Sequence, residues 1–133
     1  MREPNLRGQK VIPAAVQAKL HRSLLLQRQG RLIDAERAFQ AAVRQAPMQF
    51  DALYLLGQSA LQTNRTERAV DLIVKAIRLN PNVAAAYVTL ASAQRALEHH
   101  EDALASYDRA IALQPDLAEA YGGRAIDAAR QSR

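Results

Sequence analysis

Apolar residues along the chain fall three and four positions apart through most of its length, the spacing of a helix face rather than of a strand. The middle of the chain shows it best. Leu53, Leu56, Gly57 and Ala60 share one face of a predicted helix over about 50–62. Ala69, Leu72, Ile73, Ala76, Ile77 and Leu79 share one face of a second, over about 66–79. The turn between them falls near Asn64, a residue type that takes a left-handed cap readily, as does Gly30. A proline follows the second helix and forbids its continuation. The unit so defined is a helix hairpin.

That unit repeats. Pro13, Pro47, Pro81 and Pro115 are spaced by 34 residues each time, and only Pro4 stands outside the series. In the same phase recur Ala35, Ala69 and Ala103, then Ala42, Ala76 and Ala110. Phe39, Ile73 and Tyr107 form a large apolar set, and Ser23, Gly57, Ala91 and Ala125 a small one. Small residues at these positions set how closely the two helices of a hairpin approach. Gly30 and Asn64 share a phase that Glu98 interrupts.

These residues resemble the tetratricopeptide repeat, whose pattern runs Trp, two residues, Leu-Gly, two residues, Tyr, then Ala, three residues, Phe, then Pro. The middle repeat reads Leu53, Leu56-Gly57, Ala60, Ala69, Ile73 and Pro81. The third reads Tyr87, Leu90-Ala91, Gln94, Ala103, Tyr107 and Pro115, and the first Lys19, Arg22-Ser23, Leu26, Ala35, Phe39 and Pro47. The resemblance implies an all-α, right-handed α-solenoid of helix-turn-helix hairpins. Its repeats fall at about 16–49, 50–83 and 84–117, with a partial fourth at 118–131 as a closing helix. Residues 13–133 then form one domain, preceded by a flexible basic arm over 1–12. Lys19, Arg22 and Arg124 replace residues that the family buries, as suits helices at the ends of a stack.

By the same resemblance, the first helix of each repeat lines a concave surface. The inward positions are Gln17, Leu20, Leu24 and Arg28; Asp51, Tyr54, Gln58 and Gln62; Val88, Ser92 and Arg95; and Ile126. Such a mixed surface suits an extended peptide or a helix, so the expected partner is a protein or peptide held in that groove. Two groove chemistries of relatives are absent in this register. The carboxylate clamp of chaperone-docking repeats would need Lys and Asn at Leu20 and Leu24, Asn at Leu55, and Lys and Arg at Ala85 and Thr89. The asparagine ladder of O-linked N-acetylglucosamine transferases reads His21, Leu55, Thr89 and Gly123 here. Two alternatives stand beside groove binding. One is the non-catalytic repeat segment of a larger enzyme, such as a bacterial transferase of that kind. The other is a homo-oligomeric scaffold, a homodimer through the end helices included.

Composition narrows the chemistry further. Of 133 residues, 49% are hydrophobic and 5% aromatic, a profile for close-packed helices rather than a β-sandwich. Cysteine is absent, so no disulfide, Cys-ligated zinc or thiol nucleophile is available. No apolar run, Leu24-Leu25-Leu26 included, approaches a membrane span, and residues 1–5 lack a secretory stretch. A cytoplasmic protein without membrane insertion is the expectation. The net charge of +5 is uneven. Residues 1–31 carry seven bases against Glu3 alone, while the rest carries eleven bases against twelve acids. Arg2, Arg7 and Lys10 are the candidates for nucleic-acid or acidic-surface contact. No aromatics are interleaved for base stacking, and a solvated tail is the preferred reading.

Catalysis finds no support. Adjacent His99 and His100 point about 100° apart on a helix, unlike a metal pair spaced by three or four, and read as an exposed polar turn. There is no Gly-rich phosphate loop, and Ser23, Ser59, Ser92 and Ser106 lack an evident triad. No enzymatic activity and no cofactor are expected. Packing accounts for Tyr87, Tyr107 and Tyr121, which leaves Tyr54 as the tyrosine expected to meet a guest.

Overall fold

The computed structural model describes residues 13–132. They form seven helices: α1 (Ala14–Arg28), α2 (Leu32–Gln45), α3 (Phe50–Gln62), α4 (Thr66–Leu79), α5 (Ala84–Ala96), α6 (His100–Leu113) and α7 (Ala118–Gln131). The predicted helices over 50–62 and 66–79 coincide with α3 and α4. The basic arm, residues 1–12, lies outside the described residues.

Each hairpin closes through the same turn. Gly30, Asn64 and Glu98 all take a left-handed conformation, with φ of 76°, 64° and 63°. The next residue then bonds back over the helix end: Arg31 N to Leu26 O at 3.0 Å, Arg65 N to Ala60 O at 2.8 Å and His99 N to Gln94 O at 2.8 Å. This is the six-to-one bond of a Schellman cap. Glu98 therefore interrupts the phase in residue type but not in backbone shape.

The periodic small residues are where the helices meet. Ala35, Ala69 and Ala103 are wholly buried, as are Ala42, Ala76 and Ala110. Phe39, Ile73 and Tyr107 fill the same slot in successive hairpins, none more than 2% exposed. At Gly57 a Cβ would lie 2.7 Å from Ile73 Cγ1, so only glycine admits Ile73 at its present depth. Ser23 and Ala91 are likewise buried, but Ala125 is exposed, because among the described residues no helix packs beyond α7.

The hairpins α1/α2, α3/α4 and α5/α6 stack in order, with α2 on α3, α4 on α5 and α6 on α7. The result is an all-α solenoid of helix hairpins. Its core falls into two clusters along the stack, one spanning α1 to α4 with Leu90 of α5 and one joining α5, α6 and α7, and burial of these apolar surfaces is the main source of stability. Among the described residues, no helix is long and apolar enough to cross a membrane.

Candidate peptide-binding groove

Four of the expected groove residues come together. Gln58 and Gln62 of α3 and Val88 and Ser92 of α5 line one open depression of about 360 Å³, with Gln27, Leu61, Thr89 and Glu119. Residues four apart on α3 and on α5 share a helix face, which is why these pairs point the same way. Val88 is only 5% exposed and forms floor, while Gln58 and Ser92 are half-buried and Gln62 is exposed.

Tyr54 borders this depression, its ring stacked on Phe50 with centroids 5.4 Å apart. Its hydroxyl lies 2.9 Å from Thr89 Oγ1 and accepts from Gln58 Nε2 at 3.2 Å. One turn along, Gln27 Nε2 donates to Gln62 Oε1 at 2.5 Å. The inner surface is thus a row of amides and hydroxyls joined across repeats. Thr89 and Gln27 were not among the expected residues. A spacing of 35 links each to its partner, one more than the repeat period, and that offset is the signal by which they are found.

The remaining expected residues lie elsewhere. Gln17, Arg28 and Asp51 are exposed outside the depression, Leu24 is half-buried, and Leu20, 6% exposed, belongs to the core of the first hairpin. Ile126 is exposed on α7. Tyr121, expected to pack, is 47% exposed, with its hydroxyl donating to Pro115 O at 2.8 Å.

Arg95 departs furthest from the expectation. Its guanidinium turns into the junction of α5, α6 and α7 instead of the groove. Nε donates to Asp127 Oδ2 at 3.0 Å, and Nη2 donates to Tyr107 Oη at 2.6 Å and to Gly123 O at 3.0 Å. Asp127 is wholly buried, and its second oxygen accepts from His100 Nδ1 at 2.7 Å. His100 is therefore part of a buried network rather than an exposed turn, while His99 beside it is exposed. A buried carboxylate demands such partners, since an unpaired charge in a low-dielectric interior is strongly unfavourable. Among the described residues, no group of three or more His, Asp or Glu is arranged to hold a metal ion.

Comparison with known proteins agrees with this architecture. Two models of the family described as Tetratricopeptide repeat match residues 20–84 and 84–117, most of the chain between them. The chain belongs to the tetratricopeptide repeat family. Among solved structures, it is similar to MamA, with a TM-score of 0.84 at 23% identity over 88% of this chain and 68% of that one. It is also similar to the first tetratricopeptide domain of Spaghetti (RPAP3), which was solved bound to the HSP90 peptide SRMEEVD. There the TM-score is 0.86 at 18% identity, over 89% of this chain and 94% of that one. The O-GlcNAc transferase of Thermobaculum terrenum superposes with a TM-score of 0.80 at 27% identity, over 93% of this chain but only 23% of the enzyme. Tetratricopeptide repeats are protein-interaction modules, and the shared solenoid is what these likenesses establish.

Proposed function

We propose that this protein is a non-enzymatic interaction module that holds an extended peptide or protein segment along its concave face, between α3 and α5. The observation that carries the reading is the row of neutral amides and hydroxyls around Gln58, Gln62, Thr89 and Ser92. An amide side chain both donates and accepts, so it can bond a guest's backbone whatever the guest's side chains are. Val88 and Leu61 supply apolar patches for anchors.

Glu119 is the one charged residue of that lining. The peptide seen on Spaghetti carries acidic residues near its end. With no lysine or arginine in this depression, the guest here is neutral or basic at that point.

The test is a displayed peptide library selected against the full chain, followed by titration of the enriched peptides. Replacing Ser92→Arg or Gln62→Ala should weaken them by about tenfold or more. Peptides that bind both variants as well as the parent chain would remove the groove from consideration. A second reading, a repeat segment serving a larger enzyme, draws support from the likeness to part of the transferase. The natural reading frame around these repeats decides it.

A further inference from the structure

The outer side of the solenoid carries a second cleft of opposite chemistry. It lies between α2 and α4, which each pack on α3 and leave a space of about 490 Å³ between them. Its floor is apolar: Leu53 and Leu56 of α3, Leu72 and Leu79 of α4, and Val43 of α2. Its rim is cationic: Arg44, Arg68, Lys75 and Arg78, all exposed. Among the described residues none of the four makes an ion pair, and no acidic residue lines the cleft.

The next repeat supplies an internal control, because the same positions recur 34 residues on. There Tyr87 stands for Leu53, and its hydroxyl donates to Pro81 O at 2.9 Å with the Arg109 guanidinium 5.9 Å over the ring. Asp102 stands for Arg68, Ser106 for Leu72 and Ala112 for Arg78. The later interval is more polar and less basic, keeping Arg78 and Arg109 where Arg44 and Lys75 stand. An apolar floor under a rim whose charges are all basic is thus a property of the α2/α4 interval, not of repeat geometry.

We infer that this cleft docks an acidic amphipathic helix of a partner protein. A cleft between two helices receives a third by the usual ridge-and-groove packing, with an apolar stripe at three- and four-residue spacing on the floor. Glutamates flanking that stripe meet the four bases, which otherwise repel one another within a Debye length. An extended strand is a poorer match, because the polar groups here are mostly cation termini rather than groups that bond a backbone. A flat anionic bilayer is poorer too, because Leu53, Leu56 and Leu72 are recessed to 6%, 1% and 7% exposure, below the reach of a planar surface.

The probe is a labelled synthetic helix of about 18 residues, leucines on one face and glutamates flanking them, read by fluorescence anisotropy. A second peptide carries lysine for every glutamate, and phosphatidylserine vesicles form a third arm. Two variants of the full chain borrow residues that the next repeat already uses: Leu53→Tyr, which fills the floor, and Arg68→Asp with Arg78→Ala, which strips the rim. Circular dichroism and thermal melting check that each variant remains folded. The glutamate helix should bind the parent chain, weaken with salt, and lose about tenfold or more in affinity with either folded variant. Ser92→Arg, on the opposite face, should leave it unchanged, which separates this site from the concave groove. Failure of the glutamate helix to bind, equal binding of the lysine helix, or indifference to both variants would each overturn the inference. Vesicle binding that survives Leu53→Tyr, in place of peptide binding, would assign the basic rim to membranes.

Discussion

The Arg95 guanidinium on α5 meets the Asp127 carboxylate on α7 at 3.0 Å, and through that pair the last helix is fastened to the array. Asp127 is wholly buried and also accepts from His100, so both oxygens are occupied. Asp127→Ala strands a guanidinium and an imidazole beside a void. Removing one partner of a buried pair costs about 3–5 kcal/mol. In a repeat array the loss is local, because each unit touches only its neighbours. Amide exchange should accelerate across α7 while α3 and α4 keep their protection. Unchanged exchange in α7 would mean that apolar contacts alone hold it.

Two adjacent glycines on α7 should respond in opposite ways to the same change. A methyl on Gly123 would overlap the Tyr107 phenol, whereas one on Gly122 meets nothing within 4 Å. Tyr107 is itself held by Arg95, so it has little room to retreat. Gly123→Ala should destabilise by about 1–3 kcal/mol through overpacking. Gly122→Ala should stabilise by about 0.5–1 kcal/mol through helix propensity. Paired urea denaturation curves followed by circular dichroism give both signs at once.

Glu98 occupies a backbone position that disfavours its side chain. Its φ of 63° matches Gly30 and Asn64, yet an ordinary L-residue is strained there by about 1–2 kcal/mol. Glu98→Gly should raise the melting temperature, with a gain of about 1 kcal/mol once the entropy of glycine is set against the relief. Gly30→Ala, at φ 76°, should lower it. A melting temperature unmoved by Glu98→Gly would show that the turn is held by the helices on either side of it.

Periodicity was the readable signal, and its reach explains what was found and what was missed. The proline phase placed the hairpins because each repeat must solve the same packing problem at the same positions. Tyr107 followed from Phe39 and Ile73 for that reason. Arg95, His100 and Asp127 form a cluster found in one place, so a rule built on recurrence passes over them. A trace was nonetheless present. Asp127 stands where earlier repeats carry Ser59 and Ala93, both buried, and a carboxylate in such a slot must have partners. The depression lined by Gln58, Gln62, Val88 and Ser92 was anticipated through the family resemblance, which assigns inward positions by repeat phase. At Leu20 and Arg95 the side chains follow local packing, which spacing alone does not encode.

The bonds from Gln27 to Gln62 and from Tyr54 to Thr89 both span 35 residues, each tying one hairpin to the next along the inner rim. That rim is the short side of a bent rod. Straightening the rod pulls these partners apart, whereas tightening its arc does not, so the array resists uncoiling more than it resists further coiling. A segment along the inner rim that bonded Gln62 or Tyr54 in place of Gln27 or Thr89 would remove a tie between hairpins. If the proposed guest fills the concave face by displacing these ties, relaxation of the coil accompanies its binding.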